Sequence, residues 1–296
     1  MSSIPCWSNW QPLSMEPGLS RATFCELIDG GQAFRWDRID SSRTWQGVWA
    51  DCVVRIKWRD ETTIEYSLPD SCPNVSKDRV RSYLGGDTNW KRLGDDLPWR
   101  SDPQLHEAMQ AFPGLRLLNQ PFAETLLCFL CSATKQIPQI KLMCENLAHA
   151  LGEPIGTGLP KQLPSWSRIA SANEEDLRSL GLGFRARNIK RTADIIASDP
   201  DCLDEIEQLP YPEAKARLLL FPGVGSKIAD CALLFGANKL EAFPVDTWIL
   251  KTLRKRYGLS DWKPSQLEEF GRAHFGPAAG YAQQYFFAHE RAIAKR

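Results

Sequence analysis

Leu218-Leu219-Leu220-Phe221-Pro222-Gly223-Val224-Gly225-Ser226-Lys227-Ile228-Ala229-Asp230-Cys231-Ala232-Leu233-Leu234-Phe235 reads as helix, tight turn, helix. Pro222 ends the first helix, and Gly223 and Gly225 allow backbone conformations that side chains forbid. Such a turn exposes several backbone N–H groups at the start of the second helix, where the positive end of the dipole attracts an anion. Lys227 falls in the first turn of that helix, where a cation is disfavoured, so its amine is expected to lose its proton more easily than usual. Nineteen residues on, Phe243-Pro244-Val245-Asp246-Thr247-Trp248 places Asp246 as the N-cap of a helix over 248–257. Taken singly, an N-cap aspartate is structural and a first-turn lysine is a phosphate contact. Their combination is what calls for a chemical reading.

Outward from the hairpin the chain changes character. Before about residue 102, alternating stretches such as 49–58 and 63–68, separated by the turn Arg59-Asp60-Glu61, predict a small antiparallel sheet. Beyond it, apolar residues three and four apart predict helices over 106–112, 123–133, 137–151 and 174–180. Pro113-Gly114, the stretch 152–160, Pro200 and Pro210 break these helices without making a long linker. The expected fold class is α+β: an N-terminal twisted antiparallel sheet over 1–115, then a mainly α-helical region over 116–296 carrying the hairpin. The length, 296 residues, suits two such units.

Composition narrows the function. Lys+Arg and Asp+Glu number 36 each, so bulk charge cannot drive binding to a polyanion and any such site is local. Two basic clusters stand out, Arg185, Arg187, Lys190 and Arg191, and Lys251, Arg254, Lys255 and Arg256. Either cluster alone also reads as a solvated helix face. No apolar run approaches the roughly 18 residues of a membrane span, and the start MSSIPCWSNW lacks a signal peptide's regions, which predicts an intracellular protein. The nine cysteines form no disulfide framework. Cys128 and Cys131 lie in an apolar run without a second ligand pair, and are read as buried helix cysteines rather than a redox or zinc pair. The four histidines lack metal-ligand spacing, so no metal is expected.

Pro222–Lys227 followed by Pro244-Val245-Asp246 resembles the helix-hairpin-helix/Gly-Pro-Asp superfamily of base-excision DNA glycosylases. Three further motifs resemble its 8-oxoguanine branch: Gly30-Gly31-Gln32-Ala33-Phe34-Arg35-Trp36, Leu180-Gly181-Leu182-Gly183-Phe184-Arg185-Ala186-Arg187 and Gly280-Tyr281-Ala282-Gln283-Gln284-Tyr285-Phe286-Phe287. The resemblance spans nearly the whole chain.

The resemblance implies a bifunctional glycosylase/lyase. Lys227 would attack the sugar C1′ of the damaged nucleotide and form a Schiff base that permits β-elimination. Asp246 would stabilise positive charge at the sugar and assist proton transfer. A glycosylase must read its base outside the stack. Phe287 and Cys231 would sandwich the flipped purine, Gln283 would bond its Watson–Crick edge, and the Gly31 carbonyl would accept the N7–H that 8-oxoguanine has and guanine lacks. The hairpin glycines Gly223 and Gly225 would meet the phosphate backbone, and Arg187 would be a further DNA contact. Phe184 would wedge into the duplex and Arg185 read the opposite base. Without the resemblance, Gly31 serves a turn, Cys231 and Phe287 fill the core and Gln283 caps a helix.

The chain also departs from the family pattern. Cys131-Ser132-Ala133-Thr134-Lys135-Gln136 stands where animal members carry an asparagine-rich turn, Gln139 where they carry an arginine, and Trp248 where they carry a histidine. Thr134 and Gln139 would therefore face the opposite base with fewer contacts. An alkylpurine glycosylase, the alternative enzyme, lacks the lysine; a non-catalytic hairpin DNA-binding protein leaves Asp246, Gln283 and Phe287 without a role. The implied partner is double-stranded DNA holding oxidised guanine, met by a monomer without cofactor, metal or membrane.

Overall fold

The computed structural model describes residues 5–39, 43–72 and 74–294. Five strands form one antiparallel sheet: β1 (Gln11–Ser14), β2 (Trp36–Arg38), β3 (Trp45–Trp49), β4 (Cys52–Asp60) and β5 (Thr63–Ser67), in the order β1-β5-β4-β3-β2. The alternation read over 49–58 runs through a hairpin turn: Trp49 pairs with Cys52, and Ala50 takes a positive φ of 45°. The next turn comes later than Arg59-Asp60-Glu61, because Asp60 still pairs with Thr63.

Three helices precede residue 102, where the periodicity shows only strands: α1 (Arg21–Asp29), α2 (Lys77–Tyr83) and α3 (Trp90–Asp96). They are short, and caps define them better than apolar stripes do. Ser20, Ser76 and Asn89 each accept a backbone N–H three residues on. The remaining helices are α4 (Pro103–Ala111), α5 (Phe122–Cys131), α6 (Ile137–Leu151), α7 (Trp166–Ala170), α8 (Glu174–Leu177), α9 (Arg185–Ser198), α10 (Cys202–Gln208), α11 (Tyr211–Leu218), α12 (Ser226–Gly236), α13 (Thr247–Arg256), α14 (Pro264–Phe275) and α15 (Ala279–Ala294). No described helix is long and apolar enough to cross a membrane.

Two hydrophobic cores result. One lies between the sheet and α1 and α2, centred on Trp36, Trp49 and Tyr83; the last two rings stack at 4.0 Å. The other fills the helical region and draws in Trp90, Leu105 and Phe112 of the first 115 residues. The cores therefore meet along an interface rather than at one chain position. Gln32 stitches that interface: its Nε2 donates to the Arg116 carbonyl at 3.0 Å and its Oε1 accepts from Leu118 N at 3.0 Å. Ala50 N adds a bond to Glu124 Oε1 at 2.9 Å. The Gln32 bonds fix the loop after α1, which carries Gly31, against the segment between α4 and α5, and the Ala50 bond fixes the β3–β4 turn against α5.

Candidate active site and nucleic-acid interface

The hairpin is present, with its first helix shorter than read. α11 ends at Leu218, and Leu219–Gly225 forms the turn. Gly223 has φ +83°, and a Cβ there would lie 2.8 Å from Asn188 Cβ, so the site demands glycine twice over. Gly225 is the N-cap of α12, and a Cβ on it would meet open space. What favours a bare backbone there is room for something from outside. Thr192 Oγ1 donates to the Pro222 carbonyl at 2.9 Å, which joins the hairpin to α9 and puts exposed Arg187 and Arg191 on the adjoining surface.

α12 is anchored from below by charge. Lys215 Nζ donates to Asp230 Oδ2 at 2.8 Å and Glu268 Oε2 at 3.0 Å, Tyr211 OH to Asp230 Oδ1 at 2.8 Å, and Ser226 Oγ to Glu268 Oε2 at 2.8 Å. Asp230 is wholly buried, and an unpaired charge there would be costly; the network satisfies both its oxygens. Ser226 and Asp230 bracket Lys227, so the network sets where the lysine points.

Lys227 Nζ donates to Ser132 Oγ at 3.2 Å and stands 5.1 Å above the Phe129 ring. Asp246 caps α13: its Oδ1 accepts from Trp248 N at 3.0 Å and Ile249 N at 2.9 Å. Burial raises its carboxyl above the ordinary range, while those N–H bonds and the Lys227 charge oppose the shift. Lys227 also reaches Cys231, one turn along α12. Burial pushes that thiol up to about 12, so it stays protonated and acts as an apolar surface rather than a nucleophile.

Gly31 and Phe287 meet although they lie at opposite ends of the chain. Gly31 has φ +100°, and a Cβ on it would sit 2.9 Å from Ile137 Cδ1 and 3.9 Å from Phe287 Cε1. Gln283 lies mid-helix on α15, buried, rather than capping an end. Its Nε2 donates to the Pro244 carbonyl at 3.0 Å and its Oε1 accepts from Gln284 Nε2 at 2.7 Å. One amide hydrogen and one lone pair remain. The bond to Pro244 ties α15 to the segment that delivers Asp246.

The residues expected to wedge the duplex or face the opposite base are arranged differently from one another. Phe184 is 59% exposed at the start of α9, after the turn at Gly181 and Gly183. Arg185 turns inward: it is buried, its Nε donates to the Ala133 carbonyl at 2.9 Å, Nη1 to the Leu182 carbonyl at 3.3 Å and Nη2 to Thr134 Oγ1 at 3.0 Å. Its donors thus hold the turn after α5, where Thr134 has φ +55°. Gln139 is exposed, and its Oε1 accepts from Gln136 N at 3.2 Å. Phe184 and Gln139 present side chains to solvent, and Arg185 in this arrangement does not.

Sequence reading missed Ser132, Ile137 and Arg291. Arg291 had a signal: Gln283, Phe287 and Arg291 are spaced by four and share one face of α15. All nine cysteines are free thiols, and Cys128 and Cys131 are buried. No group of three or more His, Cys, Asp or Glu side chains suited to a metal occurs among the described residues.

Comparison with known proteins places this geometry. The family described as 8-oxoguanine DNA glycosylase, N-terminal domain, matches residues 19–126, and the HhH-GPD superfamily of base excision DNA repair proteins matches 127–275. The chain is 30% identical to the 8-oxoguanine glycosylase/lyase of Clostridium acetobutylicum, solved with double-stranded DNA containing cytosine opposite 8-oxoG; the likeness covers 92% of each chain at a TM-score of 0.83. It is 29% identical to the N-glycosylase/DNA lyase OGG1 of Arabidopsis thaliana over 95% of this chain and 80% of that one. To the N-glycosylase/DNA lyase of Saccharomyces cerevisiae it is 29% identical over 81% of this chain and 70% of that one. With both family models matched in turn along one chain, and a relative 30% identical over 92% of each chain, the chain belongs to the HhH-GPD superfamily of base-excision DNA repair proteins, in its 8-oxoguanine DNA glycosylase/lyase branch.

Proposed function

We propose that this chain extrudes 8-oxoguanine from duplex DNA, releases the base through Lys227 and cleaves the strand by β-elimination. The observation that supports this best is the convergence of the Lys227 amine and the Asp246 carboxylate at the N-termini of α12 and α13. The two lie close enough for the lysine's charge to act on the carboxyl's ionisation.

Lys227 Nζ, once neutral, attacks C1′, and the C1′–N9 bond breaks as the purine leaves with its electron pair and takes up a proton. Opening of the sugar ring gives a protonated imine on Nζ. Loss of a C2′ proton then expels the 3′ phosphate. Asp246, held by two backbone N–H bonds, is a fixed negative charge beside a centre that becomes cationic, and such placement needs no reorganisation during the reaction.

The pocket for the extruded base has Phe287 on one face and the neutral Cys231 thiol on the other. Gln283 offers its remaining N–H and lone pair to the Watson–Crick edge. A Gly31 carbonyl aimed at N7–H discriminates strongly, because plain guanine would present an acceptor to an acceptor. The hairpin N–H groups, Gly225 and Arg187 grip the phosphate backbone, and Phe184 enters the duplex. The division at 115/116, the monomeric state and the action of the protein inside the cell, with the DNA, belong to the same reading.

Borohydride trapping tests it. Wild-type protein is expected to become covalently attached to duplexes carrying 8-oxoguanine or an abasic site, and the Lys227→Gln variant to give no adduct and no detectable excision. Release of 3-methyladenine without any adduct would instead move the chain to alkylpurine chemistry and return Lys227 to a phosphate contact.

A further inference from the structure

The loop that carries Gly31 is held from the opposite end of the chain. Arg291 Nη1, on α15, donates to the Gly30 carbonyl at 2.6 Å and to Glu26 Oε1 at 2.5 Å. The Arg291 and Glu26 side chains are 12% and 14% exposed, so this ion pair is largely shielded from water. The same guanidinium lies over the Phe287 ring, 5.3 Å from its centroid. One side chain thus touches both walls of the pocket: the backbone that precedes Gly31 and the ring one helical turn before it.

The other side of Gly31 is fixed as well. Gln32 is bonded through its side chain to Arg116 and Leu118, and its carbonyl accepts from Gln120 Nε2 at 2.7 Å. Lys141 of α6 pairs with Asp29 Oδ1 at 2.6 Å and donates to the Trp36 carbonyl. Gly31 itself, at φ +100°, has no side chain with which to hold its own peptide plane. Its carbonyl direction is set by its neighbours, and on the upstream side the bond to the Gly30 carbonyl comes from Arg291.

We infer that Arg291 is a positioning residue for base recognition: it fixes the Gly30–Gly31 peptide against Phe287, so that the Gly31 carbonyl meets the N7–H of the extruded base. The inference rests on the proposed function of the Gly31–Phe287 pocket. Lysine is not equivalent at this position: both bonds come from Nη1, so an ammonium could make them, but it has no planar group to lie over the Phe287 ring at the same time.

An abasic site has no base to read, and it supplies the discriminating substrate. Wild-type, Arg291→Lys, Arg291→Ala and Glu26→Gln proteins would be compared for 8-oxoguanine release and for borohydride trapping on abasic duplexes, with thermal melting as a check on folding. In Arg291→Ala, 8-oxoguanine release is expected to fall at least tenfold further than abasic trapping, with a raised KM and a narrowed preference over guanine. Arg291→Lys should recover part of the loss, and Glu26→Gln should show a smaller loss in the same direction. If Arg291→Ala does not fold, Arg291→Lys and Glu26→Gln decide by the same ratio. Equal losses on the two substrates, or no loss, would overturn the inference, the first because Arg291 would then act through Asp246 or general stability. Failure of the wild-type protein to release 8-oxoguanine or to be trapped would sink the underlying reading instead.

Discussion

The helical hairpin draws its form from consecutive residues between Tyr211 and Gly236, whereas the pocket beside Gly31 joins α1, α6 and α15, with Gly30 and Arg291 separated by 261 positions. The hairpin needs only a turn that ends one helix and starts another with bare N–H groups. Its proposed target is what every stretch of DNA has, a phosphate backbone. The residues around Gly31 are proposed to recognise one modified base, and no contiguous segment offers two stacking faces, an amide and a directed carbonyl at the right spacing. On the proposed function, general binding is therefore local in this chain and specificity long-range.

That contrast breaks if a pocket substitution damages binding as much as recognition. Among the glycine substitutions, Gly31→Ala should have the largest effect on excision. The added Cβ would meet Ile137 Cδ1 at 2.9 Å in a backbone conformation that costs roughly 1–3 kcal/mol for a residue with a side chain. The isoleucine tip can move; the φ of +100° cannot be adopted cheaply. Excision of 8-oxoguanine is expected to fall at least about tenfold for each 1.4 kcal/mol of misplacement, while affinity for undamaged duplex, measured by fluorescence anisotropy, stays within about twofold. A matching loss of duplex affinity would mean that the pocket and the grip are one unit.

The hairpin glycines sharpen the comparison from the other side, and the structure separates them. Gly223→Ala meets Asn188 Cβ at 2.8 Å with φ +83° and is expected to destabilise the fold by about 1–3 kcal/mol, read by denaturant unfolding. Gly225→Ala has an ordinary φ of −93° and empty space around the new Cβ, so its stability should change by less than about 0.5 kcal/mol. Its methyl group instead stands where the phosphate would approach. Duplex affinity should weaken several-fold for damaged and undamaged DNA alike. Equal destabilisation by the two alanines would show that Gly225 serves the turn and not the ligand.

The same division governs what the sequence made legible. The hairpin, Lys227 and the Asp246 cap are short-range patterns with mechanisms of their own, and the structure holds them where the pattern places them. Helices α2 and α3 escaped periodicity because each has too few turns for an apolar stripe; α1 is as long as α4 and carries Phe24, Leu27 and Ile28 at helical spacing, so it was legible and missed, and serine or asparagine caps mark all three. Gly31, Gln283 and Phe287 could be singled out only through resemblance, since a glycine before a strand or a phenylalanine in a helix carries no chemistry by itself. Arg185 was read as a base contact from its neighbours in the motif, yet its guanidinium faces the Ala133 and Leu182 carbonyls. Which way an arginine turns depends on carbonyls left unbonded elsewhere, and these become visible only once α5 has ended at Cys131.

Asp246→Asn has a modest expected effect on stability, and its sign is the informative part. The folded carboxyl binds its proton more tightly than the unfolded one, whose pKa is about 3.9. Below that value both states are protonated and burial costs nothing extra. As pH rises through the raised folded pKa, the folded state must bury a charge, and stability is lost. Asparagine keeps the cap, because its Oδ1 can accept the same bonds from Trp248 N and Ile249 N, and it removes the charge. The variant should therefore melt with the wild type near pH 3.5 and up to about 3 °C above it at pH 7.5, while excision falls by roughly a hundredfold or more. A lower melting temperature at pH 7.5 would show that the lysine's attraction outweighs desolvation and that the pair is held by its charges. A higher one places Asp246 with residues whose burial as an ion works against the fold and in favour of the reaction, on the local side of the molecule, where the chemistry is encoded.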